Sequence, residues 1–223
     1  MATKRLTGRD GKVYLATKGE TITGNGTTKL TKGSFYVPVQ IASTSSGFQA
    51  NAVVGRVLVG DGTSAPTASE KYFELTLTAQ CDITSASIEF EKNEIDITTL
   101  CDDIMKYASG FIDATGTLEG ITTIGKTEPF VAKFVAVQKQ ASTGAITATE
   151  QNDDTVLLVI EINKLDNTTI PRALFIAPIV INSYNIQATI NEAQTYTSNF
   201  RIAQDSDIEP ALIEADKTLF AST

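Results

Sequence analysis

A chain of 223 residues, 42% hydrophobic and 20% charged, has the apolar content for one large domain and no bias towards wholesale disorder. Its net charge of −8, with no basic run beyond Lys4-Arg5, argues against tight wrapping of nucleic acid, which needs clustered Lys and Arg. It has no His and no Trp, which removes Ser-His-Asp and Cys-His arrangements and His-based zinc sites; no catalytic residue, metal or cofactor is expected.

Residues 1–12 are polar and basic and read as a flexible segment rather than a signal peptide, since no apolar core follows. Val13 to Leu15 is a short strand. Residues 18–33 are rich in Gly, Thr and Lys. Gly24-Asn25-Gly26 has no helix pattern behind it, so a mobile surface loop is expected in place of a phosphate cradle. Ser34 to Ser43 is a strand in which Pro38 marks an edge or a bulge. Residues 43–70 form a second polar, loop-rich stretch. Val53-Val54 and Arg56 to Val59 are candidates to pair across it, and Asp61-Gly62 is a tight-turn dipeptide.

Lys71 to Asp82 alternates Phe73, Leu75 and Leu77 against Glu74, Thr76 and Thr78, the period of a half-buried strand. Ala86, Ile88 and Phe90 continue that period from Thr84. Glu91 to Glu94 is a polar interruption, after which Ile95 and Ile97 resume. Thr98 and Thr99 offer a cap, Asp102 and Asp103 a first turn, and Leu100, Ile104 and Tyr107 an apolar stripe. Together they predict a helix of about two turns ending at Gly110. Alternation then returns from Phe111 to Leu118. A hairpin connection this long is usually functional.

Phe130 to Val137 reads as a strand, Gln138 to Thr149 as a hairpin end, and Val156 to Ile162 as a strand buried on both faces. Lys164 to Thr169 turns the chain. Ala173 to Ile181 is a strand with a bulge at Pro178; at nine residues this longest apolar run is too short to span a membrane, so no stable insertion is expected. Asn182 to Ile202 holds a second pair of strands, and Ala211 to Leu219 is a short helix or an extended arm. Cys81 and Cys101 are expected to be reduced and packed as small hydrophobes, with a disulfide as the open alternative. Asp205, Asp207 and Glu209 have calcium-loop spacing, but Pro210 and Asp216 break the pattern and leave a solvated loop. Without a linker or repeat, residues 1–223 are expected to form one mainly all-β domain, sandwich- or barrel-like, with a long hairpin loop and one or two short helices.

Three segments carry a family resemblance. Ser-Ala-Ser-Ile-Glu-Phe (85–90), Glu-Ile-Asp-Ile-Thr-Thr-Leu (94–100) and Lys-Tyr-Ala-Ser-Gly-Phe-Ile-Asp-Ala-Thr-Gly-Thr-Leu (106–118) resemble the bacteriophage tail tube proteins (major tail proteins). Phe111 stands where that family often has Leu, and Cys101 where Gly is common. The resemblance implies a structural virion protein, self-assembling into stacked hexameric rings whose strands join a continuous inner barrel. That barrel would be the conduit for genome delivery. It further implies a virion-tail location after assembly in the host bacterial cytoplasm. The implied partners are other copies of the chain, a tape measure protein within, a sheath outside and a baseplate or tip initiator. DNA would pass without specific binding, repelled by acids lining the bore.

The loop role falls on Glu91, Glu94, Ile95, Asp96, Ile97, Thr98, Thr99, Leu100, Ile104, Tyr107 and Gly110, which would reach an adjacent subunit or ring; alternatively, the apolar members pack onto their own domain. Other readings are the inner tube of a phage-related injection particle and a monomeric β-sandwich binding module for a glycan or protein. A glycosidase-like pair of carboxylates has no particular context among the 26 acids.

Overall fold

The computed structural model describes residues 12–43, 46–96, 107–122, 130, 134, 137–140, 142–149, 155–162, 172–188, 193–203 and 205–220. They form β1 (Lys12–Lys18), β2 (Ile22–Thr23), β3 (Phe35–Gln40), β4 (Leu58–Val59), β5 (Lys71–Ala79), β6 (Ile83–Asp96) and β7 (Tyr107–Ile121). The remainder are β8 (Val137–Gln140), β9 (Ile146–Thr149), β10 (Val156–Glu161), β11 (Arg172–Gln187), β12 (Thr195–Ile202), β13 (Ala211–Ala215) and a 3₁₀ turn at Lys217–Leu219. The fold is all-β. No helix among the described residues is long and apolar enough to cross a membrane.

These residues divide into two compact units. The first takes the chain up to Cys81, Thr155–Ile179 and the chain from Ala203. Its strands run in the order β4-β3-β5-β1-β10-β11, with β13 on the far side of β11 and β2 extending the β1 side of β5. The antiparallel sheet curls. Phe35, Val37, Val59, Phe73, Leu75, Leu157, Val159, Leu174, Ile176 and Ala215, drawn from six strands, share one core. The outermost strands β4 and β13 line opposite sides of a single groove. Both side-chain parities of β10 and of Leu174–Ile179 are buried, as their unbroken apolar runs require of central strands. On the other face of β3 and β5, Tyr72 meets Tyr36 and Phe48 edge-on at 5.7 and 5.9 Å, beside Leu30.

Pro38 lies at a register shift between β3 and β5, the expected bulge. Pro178 departs from expectation, because β11 pairs with β10 in unbroken register through Leu157↔Pro178. Its carbonyl accepts from Ala203 N at 2.9 Å, so its backbone nitrogen also faces away from β10, where no donor is needed. Ala173–Ile181 and the alternation after Asn182 are one strand of 16 residues. Ala211–Ala215 is the extended alternative, followed by the 3₁₀ turn. Only Leu58–Val59 becomes a strand in its loop, and it pairs with β3 rather than with Val53-Val54. The 18–33 loop, expected to be mobile, is tied to the 60–70 stretch by Gly24 N, Gly26 N, Leu30 N and Gly33 N, which donate to the carbonyls of Glu70, Pro66, Ser64 and Gly60. Cys81 is exposed, not packed as a small hydrophobe.

The second unit takes Asp82–Asp154 and Val180–Ile202. Its strands follow the order β11-β12-β7-β6, and β8 and β9 pair separately as the expected 138–149 hairpin. A strand was expected from Phe130 to Val137; instead Phe130 is helical, Phe134 lies in a turn and β8 begins only at Val137. Cys101, Asp102, Asp103 and the expected turn at Lys164 to Thr169 lie outside the described residues.

Candidate assembly surface

The β6–β7 hairpin dominates the second unit. Its strands have 14 and 15 residues, about 48 Å at 3.4 Å per residue, and pair from Ile83↔Gly120 to Asp96↔Tyr107. Glu91 to Glu94 therefore continues the strand instead of interrupting it, with an irregularity between Lys92 and Glu94. Cross-strand backbone bonding, which a polar pattern does not forbid, decides this segment. Tyr107 to Gly110 is likewise strand, so the expected helix does not include its last turn; Ile97, Thr98, Thr99, Leu100 and Ile104 lie outside the described residues. Glu94, Ile95 and Asp96 sit opposite Ser109, Ala108 and Tyr107. Among the described residues β6 has β7 on one side and no strand on the other.

The hairpin and β12 present two chemically distinct faces. One is packed. Ala114, Leu118, Gly120, Tyr196, Ser198 and Phe200 are buried, and Phe200 and Tyr196 lie directly opposite Gly116 and Gly120. A Cβ at Gly116 would come within 2.3 Å of Phe200 Cζ, and one at Gly120 within 2.7 Å of Tyr196 Cζ. Each glycine makes room for the aromatic ring across from it. Tyr184 stacks on Tyr196 at 5.2 Å, and Phe130 packs on it at 6.2 Å. Burial, with the Asp82 charge and Tyr184 adding to it, pushes the Tyr196 phenol well above its ordinary pKa and keeps it neutral.

The other face is polar and open. It carries Ser85, Ser87, Glu89 and Glu91 on β6, Thr115, Thr117 and Glu119 on β7, and Thr195, Thr197, Asn199 and Arg201 on β12. Thr117 Oγ1 donates to Asn199 Oδ1 at 3.0 Å, and Asn199 Nδ2 to Ser183 Oγ at 2.8 Å, a row of side-chain bonds across three strands. Among the side chains described on this face, Glu89, Glu91 and Glu119 accompany one base, Arg201. At the outer margin of the packed face, Phe90 is 59% exposed.

The acids with calcium-loop spacing instead take cations of the chain. Lys18 Nζ is 2.7 Å from Asp205 Oδ1 and 3.2 Å from Asp207 Oδ2, and Arg56 Nε is 3.0 Å from Glu209 Oε2. Burial opposes ionisation of Asp205, but hydrogen bonds from Lys18 and from Asp207 N outweigh it and lower its pKa. Asp61 behaves similarly: burial is overcome by the N–H groups of Ser64 and Thr63, which stabilise the Asp61-Gly62 turn. Among the described residues no group of three His, Cys, Asp or Glu side chains could hold a metal.

Glu70 escaped the sequence reading. It is fully buried and accepts from Ser46 Oγ (2.6 Å), Thr67 N (2.7 Å), Gly47 N (3.0 Å) and Ala42 N (3.2 Å), pinning the loop before it. Only its isolation among small residues in a loop marked it out.

No protein-family model matches the chain. No curated protein matches it either. Among solved structures it is similar to a chain in the tail of an empty gene transfer agent particle refined helically with C6 symmetry. That likeness has 14% identity and a TM-score of 0.41, and covers 62% of this chain and 86% of the other. It is also similar to a chain in the virion of the native gene transfer agent particle, at 13% identity and TM-score 0.39, covering 62% and 88%.

Proposed function

We propose that this protein is a structural subunit of a phage-type tail tube, or of the inner tube of a related injection particle, and works by polymerising rather than by catalysis. The observation that carries this reading is the β6–β7 hairpin, whose 14-residue strand β6 has no strand on its outer side among the described residues. Long exposed edges recruit other strands unless something blocks them, and head-to-tail pairing of identical subunits closes rings or continues as filaments. The hairpin also coincides with the residues that resemble the tail tube proteins.

In this proposal the whole chain acts as one assembly module, in hexameric rings that stack within a virion tail built in the host cytoplasm. The segment from Glu91 to Gly110, with Ile95, Ile97, Leu100, Ile104 and Tyr107 as apolar anchors, docks on an adjacent subunit or ring. The polar face of β6, β7 and β12 lines the bore, where Glu89, Glu91 and Glu119 repel DNA phosphates. The tape measure protein occupies that bore before DNA, while a sheath and a tip initiator contact the outside and the end.

Negative-stain electron microscopy of the concentrated protein at two salt levels tests the reading. Tubes or stacked rings with a central hole are the expected result. Uniform particles of 23.8 kDa under every condition, together with capture of a defined glycan or protein, would replace it with the binding-module reading.

A further inference from the structure

The curled sheet of the first unit ends in two strands that line one groove. Among the described residues β4 pairs only with β3, and β13 only with β11. Leu58, Ile213 and Leu219 give the groove apolar walls, and its lining holds two acids, Glu214 and Asp216, and no base. Gln49 lies on the β4 side. Its Nε2 donates to Val59 O at 2.7 Å, the bond that the N–H of an adjoining strand would make. That bond fixes the amide, because the reverse orientation would set oxygen against oxygen. Gln49 Oε1 is therefore an acceptor, and among the described residues it is buried with no hydrogen-bond partner. Buried acceptors are ordinarily satisfied, so the groove suits an extended segment that brings N–H donors, and its acids favour a basic one.

The chain carries such a segment. Residues 1–11, which precede β1, hold Lys4, Arg5 and Arg9 against Asp10, in a chain whose net charge is −8. The register of the sheet brings their attachment point near. Lys12 lies opposite Glu161, Glu161 opposite Leu174, and Leu174 opposite Ile213. Lys12 and Ile213 are thus level, three strand spacings or about 14 Å apart. Leu6 precedes Lys12 by six residues, a reach of about 20 Å when extended. Side-chain parity also fits. Ile213 packs against the core of the unit, while Glu214 is exposed on the opposite face of β13. An extended segment with Leu6 beside Ile213 brings Arg5 beside Glu214.

We propose that residues 4–9 dock in the groove of their own chain as a guard strand between β4 and β13. Leu6 covers Leu58, Ile213 and Leu219, Arg5 pairs with Glu214, and a donor of the segment satisfies Gln49 Oε1. Strand addition of this kind draws its affinity from main-chain bonds and its selectivity from alternate side chains. Its effect is to shield two sheet edges from strands of other chains. The proposal stands apart from the tube reading, which rests on the second unit.

Trypsin tests this on the full-length protein, through the rate of cleavage after Lys4 followed by mass spectrometry. Each rate is divided by that of a synthetic peptide of residues 1–12 with the same sequence. Wild-type protein should be cut about tenfold or more slowly than its peptide, because cleavage follows the undocked population. Glu214→Gln, at an exposed position that the fold does not need, should speed cleavage about two- to fivefold, as loss of one partly exposed ion pair does. Leu6→Asp should speed it about tenfold or more by removing the apolar anchor. Glu119→Gln, in the second unit, should change nothing. Protection should be the same across a dilution series. Wild-type cleavage at the peptide's rate, or protection that Glu214→Gln and Leu6→Asp both leave intact, would overturn the proposal in favour of ordered water at Gln49. Protection that fades on dilution would overturn it in favour of docking between copies.

Discussion

Gly116 and Gly120 show how a single missing methyl group shapes the packed face. In a strand interior glycine ordinarily weakens the sheet, yet here Phe200 and Tyr196 occupy the space that any side chain would need. Gly116→Ala would force Phe200 off its position and should destabilise the protein by about 1–3 kcal/mol, as overpacking does. Phe200→Leu in the same chain should recover part of that loss, which a double-mutant cycle of thermal or urea unfolding would reveal.

Glu70 is the electrostatic counterpart. Burial works against its ionisation, but the four hydrogen bonds from Ser46, Thr67, Gly47 and Ala42 outweigh burial and hold its pKa below the ordinary 4.5. A depressed carboxyl contributes stability that is complete above its unfolded value and fades as pH falls through the folded one. Glu70→Gln should therefore cost about 1–3 kcal/mol at neutral pH. It should also flatten the loss of stability below pH 4.5, measured as urea midpoints across an acid series.

At the scale of elements, alternation identified β5 and the start of β6, and the continuous apolar run identified β10 as a central strand. Each of those patterns reports burial directly. The errors fall where burial is not what decides. Glu91 to Glu94 looks like a break because its composition is polar, yet hydrogen bonding to β7 keeps it extended. Pro178 looks like a disruption, yet its nitrogen faces away from β10. Tyr107 carries the last residue of a helical stripe but pairs with Asp96.

Among the described residues β6 has no strand on its outer side. Phe90→Lys places a charge on an outer strand and should suppress assembly while leaving the monomer folded. Sedimentation velocity should show the loss of large species, with an unchanged circular dichroism spectrum. Normal tube formation by the variant would remove this edge from the assembly contact.

For the whole molecule, the consequential property is the distribution of charge, not its total. A net charge of −8 describes many soluble proteins. Glu89, Glu91 and Glu119 on one polar sheet face, against Arg201, make it a local feature. If that face lines a bore, combining Glu89→Lys with Glu119→Lys should leave tubes intact but slow DNA passage, most strongly at low salt, where screening is weakest. Ejection kinetics at two ionic strengths would measure this, and equal rates for variant and wild type would dissociate the acids from transport.

The sequence by itself determined the all-β class, the central position of the apolar strands, the Asp61 turn and the hairpin after Val137, because local periodicity and turn chemistry act over a few residues. It also located the long hairpin, though not its form. Only the tertiary structure decided that β6 is an outer strand among the described residues, that Asp205 and Asp207 serve Lys18, that Glu70 anchors a loop, and that the Tyr196 ring lies over Gly120. Those outcomes depend on which distant segments come to lie side by side, and strand pairing across a hundred residues leaves no periodic trace in either partner.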